Sequence, residues 1–263
     1  MNKYLAIGFW ILVSVYFFVV LGFVGGRQKE SLCTSINVIV KDTLKYRFVE
    51  KDDLVRLIDP DEGKVLGKSM GDLNISQLEK IINNQPYIKS AQVFKSINGE
   101  LNIEIVQRNP IIRIINKNNL GFYIDNEGEL LPLSKKISLR LPTANGYIQF
   151  QPDFDSSVNI FSDEYKNDEN AKILRELSTL ANFINNHVFW QAQIQQIFVN
   201  IEKEFELVPL VGAQIILLGK IDNYRDKFRN LEATYKKGFL YKGWNKYKKI
   251  NLKYENQVIC EKK

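Results

Sequence analysis

Residues 85–110, QPYIKSAQVFKSINGELNIEIVQRNP, decide how the first folded part of the chain is built. Ile88 to Phe94 and Glu100 to Val106 are both strand-like, and Asn98-Gly99 sits between them. Asn-Gly accepts positive φ at both central positions of a type I′ turn, so the stretch predicts a tight hairpin. Toward the amino terminus, Asn74 reads as an N-cap with Gln77 three residues on, ahead of Ile75, Leu78, Ile81 and Ile82 on one helical face. Asn83-Asn84-Gln85-Pro86 ends that helix. Before it, Asp52 to Ile58 places Leu54, Leu57 and Ile58 at helical spacing and stops at Asp59-Pro60. Gly63, Gly67 and Gly71 lie in the loop between and form neither a GxGxxG nor a Walker sequence, which argues against phosphate binding. Ser35 to Val40, SINVIV, is a β-branched strand that could run on through Tyr46 and Phe48. The order strand, helix, helix, strand, strand predicts a compact unit whose helices cover one face of a three-stranded sheet. Leu54, Leu57, Ile58, Leu78, Ile81 and Ile82 are its expected core.

The start of the chain obeys a different constraint. Tyr4 to Val24, YLAIGFWILVSVYFFVVLGFV, is twenty-one residues without a formal charge. At ~1.5 Å of rise per residue it matches the ~30 Å hydrocarbon core of a bilayer. A cleavable signal has a shorter apolar core and a small-x-small site, whereas Phe23 and Val24 interrupt the small residues here. The expectation is a retained single-pass anchor, with Tyr4, Trp10 and Val24 as its membrane residues, a tail of residues 1–3 before it and a linker of residues 25–34 after it. Lys3 precedes the span while Arg27 and Lys29 follow it, so local charge leaves the orientation open.

Beyond Pro110, which lacks an amide donor and biases Asn109 toward extended geometry, a second region begins. Ile111 to Ile115 is a strand, and Phe122 to Leu131 reads as strand, turn, strand. Asn170 to Asn186 is a helix capped by Asp168, with Ile173, Leu174, Leu177, Leu180, Ala181 and Ile184 on one stripe. Ile194 to Ile201, Glu204 to Val208 and Gln214 to Leu218 are further strands, and Tyr224, Phe228, Leu231 and Tyr235 mark a helix from Asp222 to Lys237. Ile250 to Ile259 alternates apolar and polar residues and reads as one terminal strand lying at a sheet edge. The fold class is α+β: one transmembrane helix, a βααββ domain, and a mixed β-rich domain with two helices.

Composition narrows the chemistry. The chain is 45% hydrophobic with a net charge of +6, two cysteines and one histidine. That supports one or two folded domains and argues against disorder. Without a CxxC pair or a second histidine, neither a metal site nor a Cys-His nucleophile assembles. His187 reads as a helix-end residue. Asp125, Glu127 and Glu129 belong to a turn rather than to a catalytic carboxylate set. Cys33 and Cys260 could bridge the two ends of the exported part or remain buried thiols. From Tyr235 to Tyr254 there are seven lysines (236, 237, 242, 246, 248, 249 and 253) and no acid, and Tyr241, Trp244 and Tyr247 lie between the lysines. On an exported protein that pattern suits an acidic partner, lipid headgroups or a solvated edge better than nucleic acid. An envelope hydrolase would need a nucleophile with a base, or a metal cluster, and the sequence supplies neither.

Several of these stretches together resemble a known family. The strand-helix-helix-strand-strand order resembles a POTRA domain, and a POTRA domain placed after a single amino-terminal span resembles the bacterial cell-division proteins FtsQ and DivIB. Gln85-Pro86-Tyr87-Ile88-Lys89-Ser90-Ala91-Gln92-Val93 is similar to that family's proline-aromatic segment ahead of an alanine-x-valine strand. Gln107-Arg108-Asn109-Pro110 is similar to its acidic-Arg-x-Pro exit, with Gln107 in place of the acid. Phe122 to Gly128 is similar to its aromatic-x-Asp-x-x-Gly hairpin, and Leu141 to Gly146 to its Leu-Pro-x-x-x-Gly loop. Asn251-Leu252-Lys253-Tyr254 is similar to its last-strand motif, polar-Leu-basic-Tyr.

The resemblance implies a POTRA-like domain over residues 35–108 and a β domain over 109–260 that ends in an edge strand, with 261–263 a tail. It also implies a non-enzymatic scaffold in the cytoplasmic membrane at the division site, its amino terminus inside and its body outside. The implied partners are FtsB-like and FtsL-like division proteins, with no cofactor, small-molecule substrate or nucleic acid. Lys253 and Tyr254, flanked by Asn251, Glu255 and Gln257, are the implied contacts for strand addition. A POTRA-bearing transport or secretion component is the alternative; an outer-membrane barrel downstream would favour it, and this chain has too few strands for one.

Overall fold

The structure is a computed structural model and describes residues 7–19, 31–41, 47–60, 63–239, 246–255 and 257–263. It divides into two compact units, Met1–Gln107 and Arg108–Lys263. Helix α1 covers residues 7–19, and its side chains, Trp10 among them, are almost all exposed. Tyr4 and Val24 lie outside the described residues, and no helix among the described residues is long and apolar enough to cross a membrane.

The first unit continues with β1 (Ser35–Val40), α2 (Lys51–Ile58), α3 (Ile75–Asn83), β2 (Ile88–Lys95) and β3 (Glu100–Gln107). Strand β3 lies in the middle, parallel to β1 and antiparallel to β2. Leu101, Ile103 and Ile105 are fully buried, as are Leu54, Ile58, Leu78 and Ile82 of the helices, while Leu57 and Ile81 are only half-buried. Asn74 caps α3 by accepting the Gln77 N–H at 3.1 Å. The residues after Lys41 that would have prolonged β1, 42–46, lie outside the described residues, and Phe48 sits in a bend.

The hairpin forms, but not through a type I′ turn. Asn98 is absent from the residues with positive φ, whereas Gly99 has φ +80°. Ser96 N–H donates to the Glu100 carbonyl at 2.8 Å, which closes a three-residue loop with glycine in the left-handed position. Thr34 fixes that geometry, donating to the Gly99 carbonyl from its N–H at 2.8 Å and from its hydroxyl at 3.2 Å. A long-range contact invisible to local sequence therefore selects the turn.

Two buried polar side chains hold the loops of this unit. Gln107, standing where the resemblance expects an acid, accepts the Phe48 and Val49 N–H groups at 2.8 and 3.1 Å. Asp59 accepts four backbone N–H groups: Gly63, Lys64 and Val65 on one oxygen at 3.0, 2.6 and 3.2 Å, and Leu66 on the other at 3.1 Å. Burial pushes the Asp59 carboxyl upward, but the four donors outweigh it and hold the pKa below the ordinary aspartate value.

The second unit is one nine-stranded sheet with helices packed on it. Its elements are β4 (Pro110–Ile115), β5 (Gly121–Asp125), β6 (Leu130–Pro132), β7 (Thr143–Gly146), α4 (Glu169–Asn185), α5 (Val188–Gln193), β8 (Ile194–Val199), β9 (Phe205–Pro209), β10 (Ile215–Gly219), α6 (Tyr224–Ala233), β11 (Tyr247–Asn251) and β12 (Ile259–Lys262). The strand order is β12-β11-β10-β9-β8-β7-β4-β5-β6. Ile173, Leu174, Leu177, Leu180, Ala181 and Ile184 of α4 are buried in one core with Ile114, Ile197, Leu207, Ile216 and Ile250 of the sheet. Asp168 caps α4 as expected, accepting the Asn170 and Ala171 N–H groups at 2.6 and 2.9 Å.

Four expectations need correction here. The stretch Leu141–Gly146 is not simply a loop: Thr143–Gly146 forms β7, which lies between β4 and β8 and runs parallel to both. The domain expected to hold two helices has a third, α5, placed by the buried Trp190 and too short to show a helical period in the sequence. The helix expected to run to Lys237 is α6 only to Ala233, after which residues 234–239 wind as a π-helix. The single terminal strand Ile250–Ile259 is two strands, β11 and β12, joined by a loop.

Replacing Asp59 by alanine leaves four N–H groups without their acceptor and should lower the stability of the first unit by about 1–3 kcal/mol. The depressed pKa makes the native carboxylate a source of stability above the ordinary aspartate range, lost as pH falls through the lowered folded value. Thermal unfolding followed from pH 7 down to pH 2 should show that acid step in the wild type and lack it in Asp59→Asn.

Candidate partner-binding edge

Sheets end in strands whose outer N–H and C=O groups need water or a partner. Strand β2 is one such end, and helix α3 blunts it. Asn83 accepts the Ala91 N–H at 2.8 Å and donates to the Ala91 carbonyl at 3.5 Å, while Glu79 accepts the Val93 N–H at 2.8 Å. Strand β6 is blunted as well: Leu130 N–H donates to the Val158 carbonyl at 2.9 Å, and Ile160 N–H to the Gly128 carbonyl at 3.0 Å. Ahead of β1, Leu32 bridges Ser69 and Cys33 N–H donates to the Lys68 carbonyl at 2.8 Å.

Strand β12 is different. It pairs antiparallel with β11 and ends the sheet. Lys263 N–H donates inward to the Lys246 carbonyl at 3.1 Å, and alternation along the strand turns the amides of Cys260 and Lys262 outward. Among the described residues no protein group lies hydrogen-bonded to that outer side. Strand β1 over Ser35–Val40 also ends its sheet.

The residues expected to touch a partner do not form the edge. Asn251 is the last residue of β11, and β11 is flanked by the chain's own strands, β10 on one side and β12 on the other. Lys253, Tyr254, Glu255 and Gln257 lie in the connecting loop, all exposed. The cause is chemical: the run Glu255-Asn256-Gln257 breaks the alternation with three polar residues, the composition of a turn. Asn251 accepts the Lys253 N–H at 3.0 Å, and Leu252, buried, donates its N–H to the Leu217 carbonyl at 2.9 Å. The loop and the start of α6 frame a groove lined by Asp222, Asp226, Lys227, Lys253, Tyr254 and Gln257.

Of β12, Ile259 is the last residue of the strand expected from the sequence, Cys260 closes the expected domain, and Glu261 and Lys262 fall in the expected tail. Ile259 is 47% exposed, Cys260 packs partly against the core, and Glu261 pairs with Lys248 at 2.6 Å. The Lys248 hydrogen bond pulls the Glu261 carboxyl below its ordinary pKa. Exposed lysines surround the hairpin at 246, 248, 249, 262 and 263. Of the lysine-rich stretch read from the sequence, Lys236 pairs with Glu232 at 2.6 Å and Lys253 with Glu204 at 2.7 Å, and Lys242 lies outside the described residues.

The remaining candidates are structural. Cys33 and Cys260 are free thiols, so the bridge weighed from sequence is not formed, and burial pushes both above the ordinary thiol pKa. Asp125 accepts the Glu127 and Glu129 N–H groups, each at 2.8 Å, and meets the Arg108 guanidinium at 3.1 Å. Burial pushes its carboxyl up despite those donors. The exit-motif arginine thus ties the second unit's first hairpin to its own entry strand. His187 precedes α5, with Nε2 4.0 Å from a Glu232 carboxylate oxygen. No group of three metal-ligating residues occurs among the described residues.

Residues 109–261 match the family model described as FtsQ/DivIB, C-terminal related, and residues 31–106 match that of the POTRA-like domain. No curated protein matches the chain.

Ile250 is completely buried and is what seats the hairpin on the core. Ile250→Ala should cost about 2–5 kcal/mol, and amide exchange in β11 and β12 should accelerate far more than in β4 or β5.

Proposed function

We propose that this chain, which belongs to the FtsQ/DivIB C-terminal related family, is a non-enzymatic scaffold of bacterial cell division that captures a partner by strand addition at β12. The observation that carries the reading is the outer side of β12, to which no group among the described residues is hydrogen-bonded, set against the blunted sides of β2 and β6. Main-chain hydrogen bonding gives such a surface affinity for any extended segment, and flanking side chains select among them. Ile259 and Tyr254 offer apolar area beside the edge, and the lysines around it favour an acidic segment.

In this reading the partner is FtsB-like, and FtsL-like through it. Residues 4–24 anchor the chain in the cytoplasmic membrane with the amino terminus inside, the body acts outside at the division site, and the POTRA-like domain contributes recruitment. The uncharged run of twenty-one residues supports the anchor.

Proline at position 262 tests the edge directly. It removes an outward N–H and leaves the bonds to β11 in place, a substitution that sheet edges tolerate. With the full chain in detergent, Lys262→Pro should fold normally and weaken capture of an FtsB-like ectodomain at least about tenfold, measured by titration calorimetry. Unchanged affinity would remove β12 as the capture site.

A further inference from the structure

The hairpin β11–β12 carries the proposed capture edge, yet it joins the rest of the sheet through a short parallel ladder. Ile215, Ile216 and Leu217 of β10 face Lys249, Ile250 and Asn251 of β11, and the ladder goes no further. At its end the chain turns at Leu252, and Lys253 runs back across β10. A Cβ built on Gly219 would meet Lys253 Cγ at 2.9 Å, so the lysine stem lies directly over that glycine. Its Nζ reaches Glu204 Oε2 at 2.7 Å. Glu204 immediately precedes β9, whose Phe205 faces Gly219 of β10. The Asn200 side chain accepts the Glu204 N–H at 2.9 Å, and the Glu204 carbonyl accepts the Asn200 N–H at 3.0 Å, fixing the acid in the turn between β8 and β9. Three strands are thereby laced by one side chain.

We propose that Glu204 is a positioning residue, which holds Lys253 as a strap over Gly219 and so keeps the β11–β12 hairpin in register for capture. Lys253 then acts within the chain, not on the partner, contrary to the role that the family resemblance implies for it. The hydrogen bond that the Lys253 ammonium donates to Glu204 also holds its pKa above the ordinary lysine value. Position 219 must stay free of a side chain for this route, and its φ of +75° suits glycine in any case. The part concerning capture rests on the function proposed above; the strap itself does not.

Both parts are read in the full chain with Glu204→Gln, Lys253→Met and the double variant. Lys253→Met keeps the stem over Gly219 and removes only the charge. Amide exchange is followed at residues 249–251 and 259–262 without partner, and affinity for the FtsB-like ectodomain is measured in parallel. A half-exposed ion pair of this kind should change local opening about two- to fivefold. Each single variant should accelerate exchange by that factor and weaken capture equally, and the double variant should be no worse than either. The strap is overturned if exchange is unchanged in Glu204→Gln, or if that variant strengthens capture by releasing a lysine that Lys253→Met shows to be a partner contact. If the wild type captures no ectodomain while the exchange cycle behaves as stated, the strap stands and the proposed function falls.

Discussion

The hydrogen-bonding demand of backbone at the ends of a sheet organises this molecule. An N–H or C=O left without a partner in a strand is either solvated or available, and an available edge invites association. Asn83 meets this demand at β2 by offering its amide to both the N–H and the C=O of Ala91, as the backbone of a neighbouring strand would. At β6 the chain itself returns, with Val158 to Ile160 alongside. Two edges are thus protected by the chain itself, whereas among the described residues no group is hydrogen-bonded to the outer side of β12.

The order of the chain explains how that edge comes to be last. Strands β8, β9 and β10 form an antiparallel meander, and α6 then carries the chain back so that β11 starts a parallel pairing with β10. The carboxyl-terminal segment folds back as β12, which pairs with β11 on its inner side and ends the sheet order. Its seating depends on Ile250 and Leu252, both buried, and on the lacing at Lys253. Local seating and the proposed partner capture are thus two demands on the same eighteen residues, 246–263.

Much of this architecture was legible because its signals are periodic or compositional. The stripe on α4, the Asp168 cap and the βααββ order of the first unit all follow from spacing that survives any tertiary context. What failed to show depended on distant partners. Thr34 selects the turn at Gly99, and β7 becomes a strand because β4 and β8 stand ready on either side. At the candidate site the sequence predicts one strand where the structure has β11, a loop and β12, so Lys253, Tyr254, Glu255 and Gln257 fall in the loop. Alternation from Ile250 to Tyr254 is real, but the polar run after Tyr254 breaks it, and the four-residue strand β12 is too short to show a period. Glu204 carried no signal, since its meaning lies in a contact with a residue 49 positions away.

The most direct measurement is residue-resolved amide exchange on the full chain with and without saturating FtsB-like ectodomain. Strand addition at β12 requires new protection at the outward amides of Cys260 and Lys262, with β6 and the Asn83-covered strand β2 unchanged. Protection appearing instead along Ser35–Val40, which ends the other sheet, would contradict it.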